Sequence, residues 1–260
     1  MIVRKQPDGQ LMLIGQTDHS RLVGQLGAHW GNERFASPEP YDSVARAAAY
    51  HDYGWLRYET APQLIAESGE TPEFRQVPSS PEQLAAYQWC VDWLTGIDPY
   101  AGLIVGMHRT GLWRARYETI KYPESFTRKL TPAVENFIAA NEARQERERK
   151  AFDPAQLWTN YRLLQVWDLL GLYFCCGEPV EDHIEPVPLS YDGARNDGVR
   201  LSLTPRDART VAFDPFPFNQ RSLKVQLSYR LLPAQTYPDL DAFRRAYFQA
   251  PVALMNFELV

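Results

Sequence analysis

PAQLWTNYRLLQVWDLLGLYFCCG, residues 154–177, is the stretch on which the reading of the fold turns. From Pro154 to about Cys176 it is apolar on nearly every side, the composition of a helix buried all round. After Gly177 the pattern changes. Val199-Arg-Leu-Ser-Leu203, Thr210-Val-Ala-Phe213, Leu223-Lys-Val-Gln-Leu-Ser-Tyr229 and Val252-Ala-Leu-Met-Asn-Phe257 follow. The clearest of these alternate apolar with polar, as half-buried antiparallel strands do. A helix over about Leu240–Gln249 interrupts them.

Upstream of residue 154 the chain reads as more helices. Asp18 or Thr17 caps the first, which runs to about Trp30 on a stripe of Leu22, Val23, Leu26 and Trp30, with His19 on that stripe. The second spans about Tyr41–His51, with Val44, Ala47, Ala48 and His51 on one face and Gly54 as its stop. The third runs from Pro81 to about Gly96. The fourth starts at Pro99 and includes the wholly apolar Ala101–His108. The fifth runs from about Thr131 into the charged, solvated face of Asn141–Lys150. Between Glu59 and Ser80 lies a loop long enough to suggest a role of its own.

Ile2-Val3 and Leu11–Ile14 flank the turn tripeptide Pro7-Asp8-Gly9. A lone hairpin is marginal in water, so it needs the C-terminal strands as partners. The expectation is an α+β fold with a helical core of about six helices over residues 15–178. An antiparallel sheet of residues 1–14 and 179–260 packs on that core.

Hydrophobic residues make up 45% of the chain and charged ones 23%, ordinary for a globular protein. The net charge of −5 argues against nucleic-acid or acidic-membrane partners. No run approaches the ~18 apolar residues of a membrane span, and the N-terminus lacks a signal-peptide core. Cys90, Cys175 and Cys176 form no disulfide framework, so a cytoplasmic location is expected, with the adjacent pair read as small buried hydrophobes.

Four residues carry the chemistry. His19, the dyad His51-Asp52 and Asp168 fall in apolar helical stretches, where an ionisable group is costly unless compensated. Imidazole nitrogen with carboxylate oxygen suits Fe, Mn or Zn, as one ion or two. His108 is a further candidate, as a ligand or a substrate contact. Arg57, Arg109 and Arg114 are candidates for contacts to a substrate anion. Tyr53, Trp55 and Trp89 are candidates for pocket walls. Bland readings stand beside these: a histidine can be a hydrogen-bonded core residue, Asp168 can pair with Arg162 or another buried arginine, and Asp52 can cap the turn at Gly54. His29 and His183 read as ordinary packing or surface residues.

The order His, His-Asp, Asp on successive helices resembles the HD-domain superfamily, helical proteins that are mostly metal-dependent phosphohydrolases. The resemblance implies metal ligation by His19, His51, Asp52 and Asp168, with His108 available for a second ion, and a small-molecule substrate, phosphorylated if the activity is the superfamily's common one. It departs from the family where a lysine commonly follows the dyad: here Tyr53-Gly-Trp-Leu-Arg57 follows. Gln16-Thr-Asp-His19, His51-Asp-Tyr-Gly-Trp55 and Leu164-Gln-Val-Trp-Asp168 also look like an uncharacterised bacterial family, a domain of unknown function spanning nearly the whole chain. Three functions follow: a metal-dependent phosphoester hydrolase, a di-iron oxygenase on the same scaffold, or a non-enzymatic metal- or small-molecule-binding protein.

Overall fold

A computed structural model describes residues 1–65, 67–75, 79–120, 130–233 and 235–260. The helical body consists of α1 (Gln16–Ala28), α2 (Tyr41–Tyr50), a short α3 (Leu56–Glu59), α4 (Pro81–Ile97), α5 (Pro99–Gly111), α6 (Pro132–Glu148) and α7 (Pro154–Cys176). Four of these helices start the same way. Ser80, Asp98, Thr131 and Asp153 each accept a bond from a backbone N–H of the first turn, and each is followed by proline at the first helical position. Proline lacks the N–H that would go unpaired there, and its φ is already helical. The sequence therefore fixes where these helices begin.

Helix α1 begins differently from the expectation. Gly15 holds the cap position with no side-chain bond, while Thr17 and Asp18 lie inside the first turn. The capping oxygens come from α3: Glu59 Oε1 accepts from the Gln16 and Thr17 amides, and Oε2 from the Thr17 hydroxyl. A carboxylate at a helix N-terminus satisfies orphan donors and meets the positive end of the dipole. The helix ends at Ala28, before Trp30. Gly54 does not act as a simple stop either. It sits in the turn Tyr53–Trp55, where a Cβ would come 2.7 Å from the Ala86 carbonyl of α4.

The seven strands are β1 (Ile2–Lys5), β2 (Gln10–Ile14), β3 (Asp182–Val187), β4 (Val199–Pro205), β5 (Thr210–Asp214), β6 (Leu223–Pro233) and β7 (Val252–Leu259), with α8 (Leu240–Gln249) between the last two. They form one sheet in the order β1-β2-β6-β7-β5-β4-β3. The N-terminal hairpin joins the C-terminal strands through β2 and β6, with Leu11 opposite Leu232 and Leu13 opposite Arg230. The sheet is not wholly antiparallel. Strand β7 inserts between β5 and β6; being antiparallel to β6, it runs parallel to β5, with Val211 opposite Leu259. The edge strand β3, absent from the sequence reading, carries Pro186 and a register shift between Ile184 and Val187, features tolerated at a sheet edge.

One sheet face closes the helical core. Leu201, Leu203, Val211, Phe213, Val225, Leu227, Met255 and Phe257 share a single buried cluster with Leu22, Val23, Leu26, Trp30, Trp167 and Phe174. Phe174 and Phe257 rings lie 4.7 Å apart. Strand β2 is covered on both sides: Met12 and Ile14 face the helices, while Leu13 packs with Leu232, Phe243 and Tyr247 under α8. This explains its unbroken apolar run. In the loop after α3, Phe74 is buried and its amide bonds the Met1 carbonyl; part of that loop, residues 66 and 76–78, lies outside the described residues. No helix of the described residues is long and apolar enough to cross a membrane. The three cysteines are free, with Cys90 and Cys175 buried and Cys176 half-buried.

Candidate metal centre

Helices α1, α2, α5 and α7 pack around one point and bring His19, His51, Asp52, His108 and Asp168 together. His19 and His51 are 0% exposed, His108 1%, Asp168 4% and Asp52 6%, so the site is closed except at its carboxylates. His19 faces α7, where Gly171 leaves room for its ring: a Cβ there would lie 2.7 Å from His19 Cε1. His51 takes the C-cap position of α2, and Asp52 opens the following turn, so both side chains leave a helix end toward the same point.

Four atoms point inward. His19 Nε2 lies 3.2 Å from Asp168 Oδ1 and 4.0 Å from Asp52 Oδ2. His51 Nε2 lies 3.5 Å from Asp168 Oδ1 and 3.6 Å from Asp52 Oδ2. Ligands about 2.1 Å from one ion in a tetrahedral site sit about 3.4 Å apart, and these separations straddle that spacing. His51 and His108 ring centroids are 5.1 Å apart. Two overlapping groups could hold a metal ion: His19, His51 and Asp52, and His51, His108 and Asp168.

The carboxylates are not bare. Arg109 donates to Asp52 Oδ1 and to the His51 carbonyl, 2.7 Å away, and its guanidinium lies 4.4 Å from the Tyr87 ring centroid. Arg116 donates to Asp168 Oδ2 at 3.2 Å and to Gln165 Oε1. Each aspartate thus gives one oxygen to an arginine and turns the other toward the histidines. Two negative and two positive charges balance, so the charge argument made from sequence does not by itself require an ion. The partner of Asp168 is Arg116; Arg162 donates instead to the carbonyls of Pro186, Ala194 and Asp197.

The histidines are less well served. His51 Nδ1 lies 2.8 Å from the Ala48 carbonyl, which can only accept, so that nitrogen carries the hydrogen. Ser20 Oγ, 3.1 Å from the same nitrogen, gives its own hydrogen to the Ala49 carbonyl. In the neutral ring Nε2 is then a lone pair aimed at two carboxylate oxygens, and it has no hydrogen-bond partner. Burial pushes the imidazole below its ordinary value, against the pull of Asp168. Burial would raise Asp168, yet the bond from His19 and the nearness of the His51 and His108 imidazoles and of Arg116 hold it well below the usual carboxylate range.

His108 is set by its neighbour. Gln165 turns its Oε1 to Arg116, so its Nε2, 2.7 Å from His108 Nδ1, donates to that nitrogen. The neutral His108 ring then carries its hydrogen on Nε2. Of the arginines named from sequence, only Arg109 joins the centre. Arg57 is exposed over the Trp89 ring, at 5.6 Å, and Arg114 pairs with Glu142 through two 3.0 Å bonds. Tyr53, Trp89 and Trp93 stack on one another, and Trp55 packs against Tyr58 and Tyr87. The aromatics therefore build core and surface rather than a pocket wall. A cavity of about 520 Å³ lies between α7 and the sheet, lined by Leu169, Leu172, Cys176, Ile184 and Leu203 among others, and includes none of the centre's residues. His29 meets Gln220, and His183 is exposed on β3.

The model of one family, described as "Protein of unknown function (DUF3891)", matches residues 1–234, and the chain belongs to that family. No curated protein and no solved structure matches the chain.

Proposed function

For this family member we propose that His19, His51, Asp52 and Asp168 hold a divalent transition metal ion and that the protein hydrolyses a phosphoester of a small molecule. The observation that carries the metal reading is His51 Nε2, a buried, unpartnered nitrogen between two carboxylate oxygens. Three acceptors facing one another repel; a cation among them turns the same geometry into ligation. Arg109, on the outer oxygen of Asp52, acts as the support that orients a ligating carboxylate. The order His, His-Asp, Asp on successive helices, the pattern of the HD-domain superfamily, supports the same reading.

An ion held by His19, His51, Asp52 and Asp168 would supply an acidified water and Lewis acidity toward a phosphoryl oxygen. The chain supplies the rest. Ser20 and the Ala48 carbonyl fix the His51 tautomer, Arg109 fixes Asp52, and His108, with its hydrogen on Nε2, donates to the oxygen of the departing group. The group of His51, His108 and Asp168 favours a second reading with two metals, as in a di-iron oxygenase; the Gln165 amide on His108 Nδ1 opposes it. The test is hydrolysis of nitrophenyl phosphate mono- and diesters by protein loaded with Mn, Fe or Zn. The reading expects turnover that a chelator abolishes and that Asp168→Asn lacks. Chelator-insensitive turnover, or bound metal with no turnover on any ester and a redox-active spectrum instead, would overturn the hydrolase.

A further inference from the structure

Ala115, Arg116, Tyr117 and Glu118 all have positive φ, 48°, 54°, 51° and 58°. Four consecutive non-glycine residues in the left-handed region make a full left-handed turn, which L-residues disfavour at every position. Such a turn persists only when its surroundings over-determine it, and here they do. The Tyr117 hydroxyl is held 2.6 Å from Thr110 Oγ1 and 2.9 Å from Glu142 Oε1. The Tyr117 carbonyl accepts from Arg195 at 3.0 Å, and Arg195 itself stacks on Trp158. The Thr119 hydroxyl donates to the Arg116 carbonyl at 2.7 Å. What the turn delivers is the Arg116 side chain, 11% exposed, onto Asp168 Oδ2 and Gln165.

Among the described residues Arg116 is the arginine that both reaches the centre and touches solvent. Arg109 is 3% exposed at its side chain and committed to Asp52 and the His51 carbonyl. Arg114 is turned outward to Glu142. A guanidinium is a planar fork that matches a phosphoryl or carboxylate oxyanion with paired bonds. Its bond to Asp168 Oδ2 is a single contact at 3.2 Å that an incoming oxyanion can replace while Gln165 Oε1 keeps the other nitrogen.

We propose that Arg116 is the anion-recognition residue of this centre. Held on Asp168 Oδ2 in the resting protein, its guanidinium transfers to the oxyanion of a bound substrate, and the left-handed turn exists to place it there. The proposal rests on the metal reading above and narrows its substrate to one that presents a small tetrahedral oxyanion beside the ion.

The probe is inorganic phosphate, titrated calorimetrically into Mn-loaded wild type, Arg116→Gln, Arg116→Lys and Tyr117→Phe, after Mn binding to each has been measured. Arg116→Gln should bind Mn as well as wild type or better, because a cation next to Asp168 has gone. Its phosphate affinity should fall about ten- to hundred-fold, the worth of a bond to a charged group. Arg116→Lys should lie between, and Tyr117→Phe should weaken phosphate while sparing Mn. A merely structural arginine would weaken both together, and that result overturns the proposal, as does unchanged phosphate binding by Arg116→Gln. If no variant and no wild type binds Mn, the metal reading fails, and phosphate is titrated into the metal-free proteins. Binding that depends on Arg116 then upholds the anion site, and its absence overturns it.

Discussion

Replacing Gly171 by alanine separates the fold from the metal centre with a single methyl group. At the crossing of α1 and α7 the added Cβ would lie 2.6 Å from Val23 Cγ2, 2.7 Å from His19 Cε1 and 2.9 Å from His19 Nδ1. Carbon atoms rest at about 3.5 Å or more, so the His19 ring or α1 must retreat by roughly 0.8 Å. Two effects on stability oppose each other. Alanine is favoured over glycine in a helix interior by about 1 kcal/mol, and overpacking costs about 1–3 kcal/mol. The net loss is about 0–2 kcal/mol, a fall of up to roughly 8 °C in Tm for a chain of this size. Metal–ligand distances tolerate only about 0.2 Å, so the same displacement should cost about ten- to hundred-fold or more in metal affinity. The comparison variant is Gly106→Ala on α5, where a Cβ would meet Val91 Cγ1 at 3.5 Å and Gln145 Nε2 at 3.6 Å, ordinary contacts. It should gain about 1 kcal/mol from helix propensity and bind metal as wild type does. Thermal melts of chelator-treated protein and calorimetric titration with Mn would read both quantities. A Gly171→Ala protein that binds Mn like wild type would refute the claim that His19 is a ligand held in place by that contact.

Three further outcomes are expected. Arg109→Met leaves Asp52 buried without its partner and should cost about 3–5 kcal/mol in denaturant unfolding of the metal-free protein, with part recovered at saturating metal; an equal loss with and without metal would separate Asp52 from the ion. Burial raises the Glu59 carboxyl above its ordinary 4.5, opposed by its bonds to Thr17. The folded state therefore holds that proton more tightly, and the group's contribution is fully present below pH 4.5 and lost as pH rises through the folded value. The stability difference between wild type and Glu59→Gln should accordingly shrink as pH rises from 4.5, and a growing difference would reverse the sign of the account. Deleting residues 1–14 uncovers β6 and removes Ile2, Met12, Leu13 and Ile14 from two packed clusters; the melt should broaden and fall as one unit, whereas an unchanged transition would show that the hairpin contributes nothing to the body.

Several of these features were legible in the sequence for physical reasons. Proline at the first helical position marks four helix starts, and alternation at Leu223–Tyr229 marks a strand whose one face is buried. His19, His51 and Asp168 stood out because a charged or titratable side chain on an apolar stripe demands a partner. What was not legible depends on residues distant in the chain. Nothing near Gln16 announces that its amide is capped by Glu59. The insertion of β7 beside β5 follows from α8 and from which edge was left free, not from local pattern. Arg109 was readable as an arginine in an apolar helix, but its pairing with Asp52 belongs to the packing of α5 on α2. Arg116 gave no signal at all: a left-handed turn made of alanine, arginine, tyrosine and glutamate lacks the glycine that ordinarily betrays positive φ, and only the surrounding anchors hold it.

The central claim is that the lone pair of His51 and the inward oxygens of Asp52 and Asp168 close on an ion. Metal content per chain, measured by mass spectrometry after dialysis against Mn, Fe or Zn and removal of loose metal, tests it most directly, with wild type and Asp168→Asn side by side. The amide keeps the side chain's shape and removes its charge, so the fold should survive while the site fails. The account predicts a single tightly held ion in wild type, a higher melting temperature when it is bound, and neither in Asp168→Asn. Metal-free wild type after loading, or equal metal in both proteins, would contradict it.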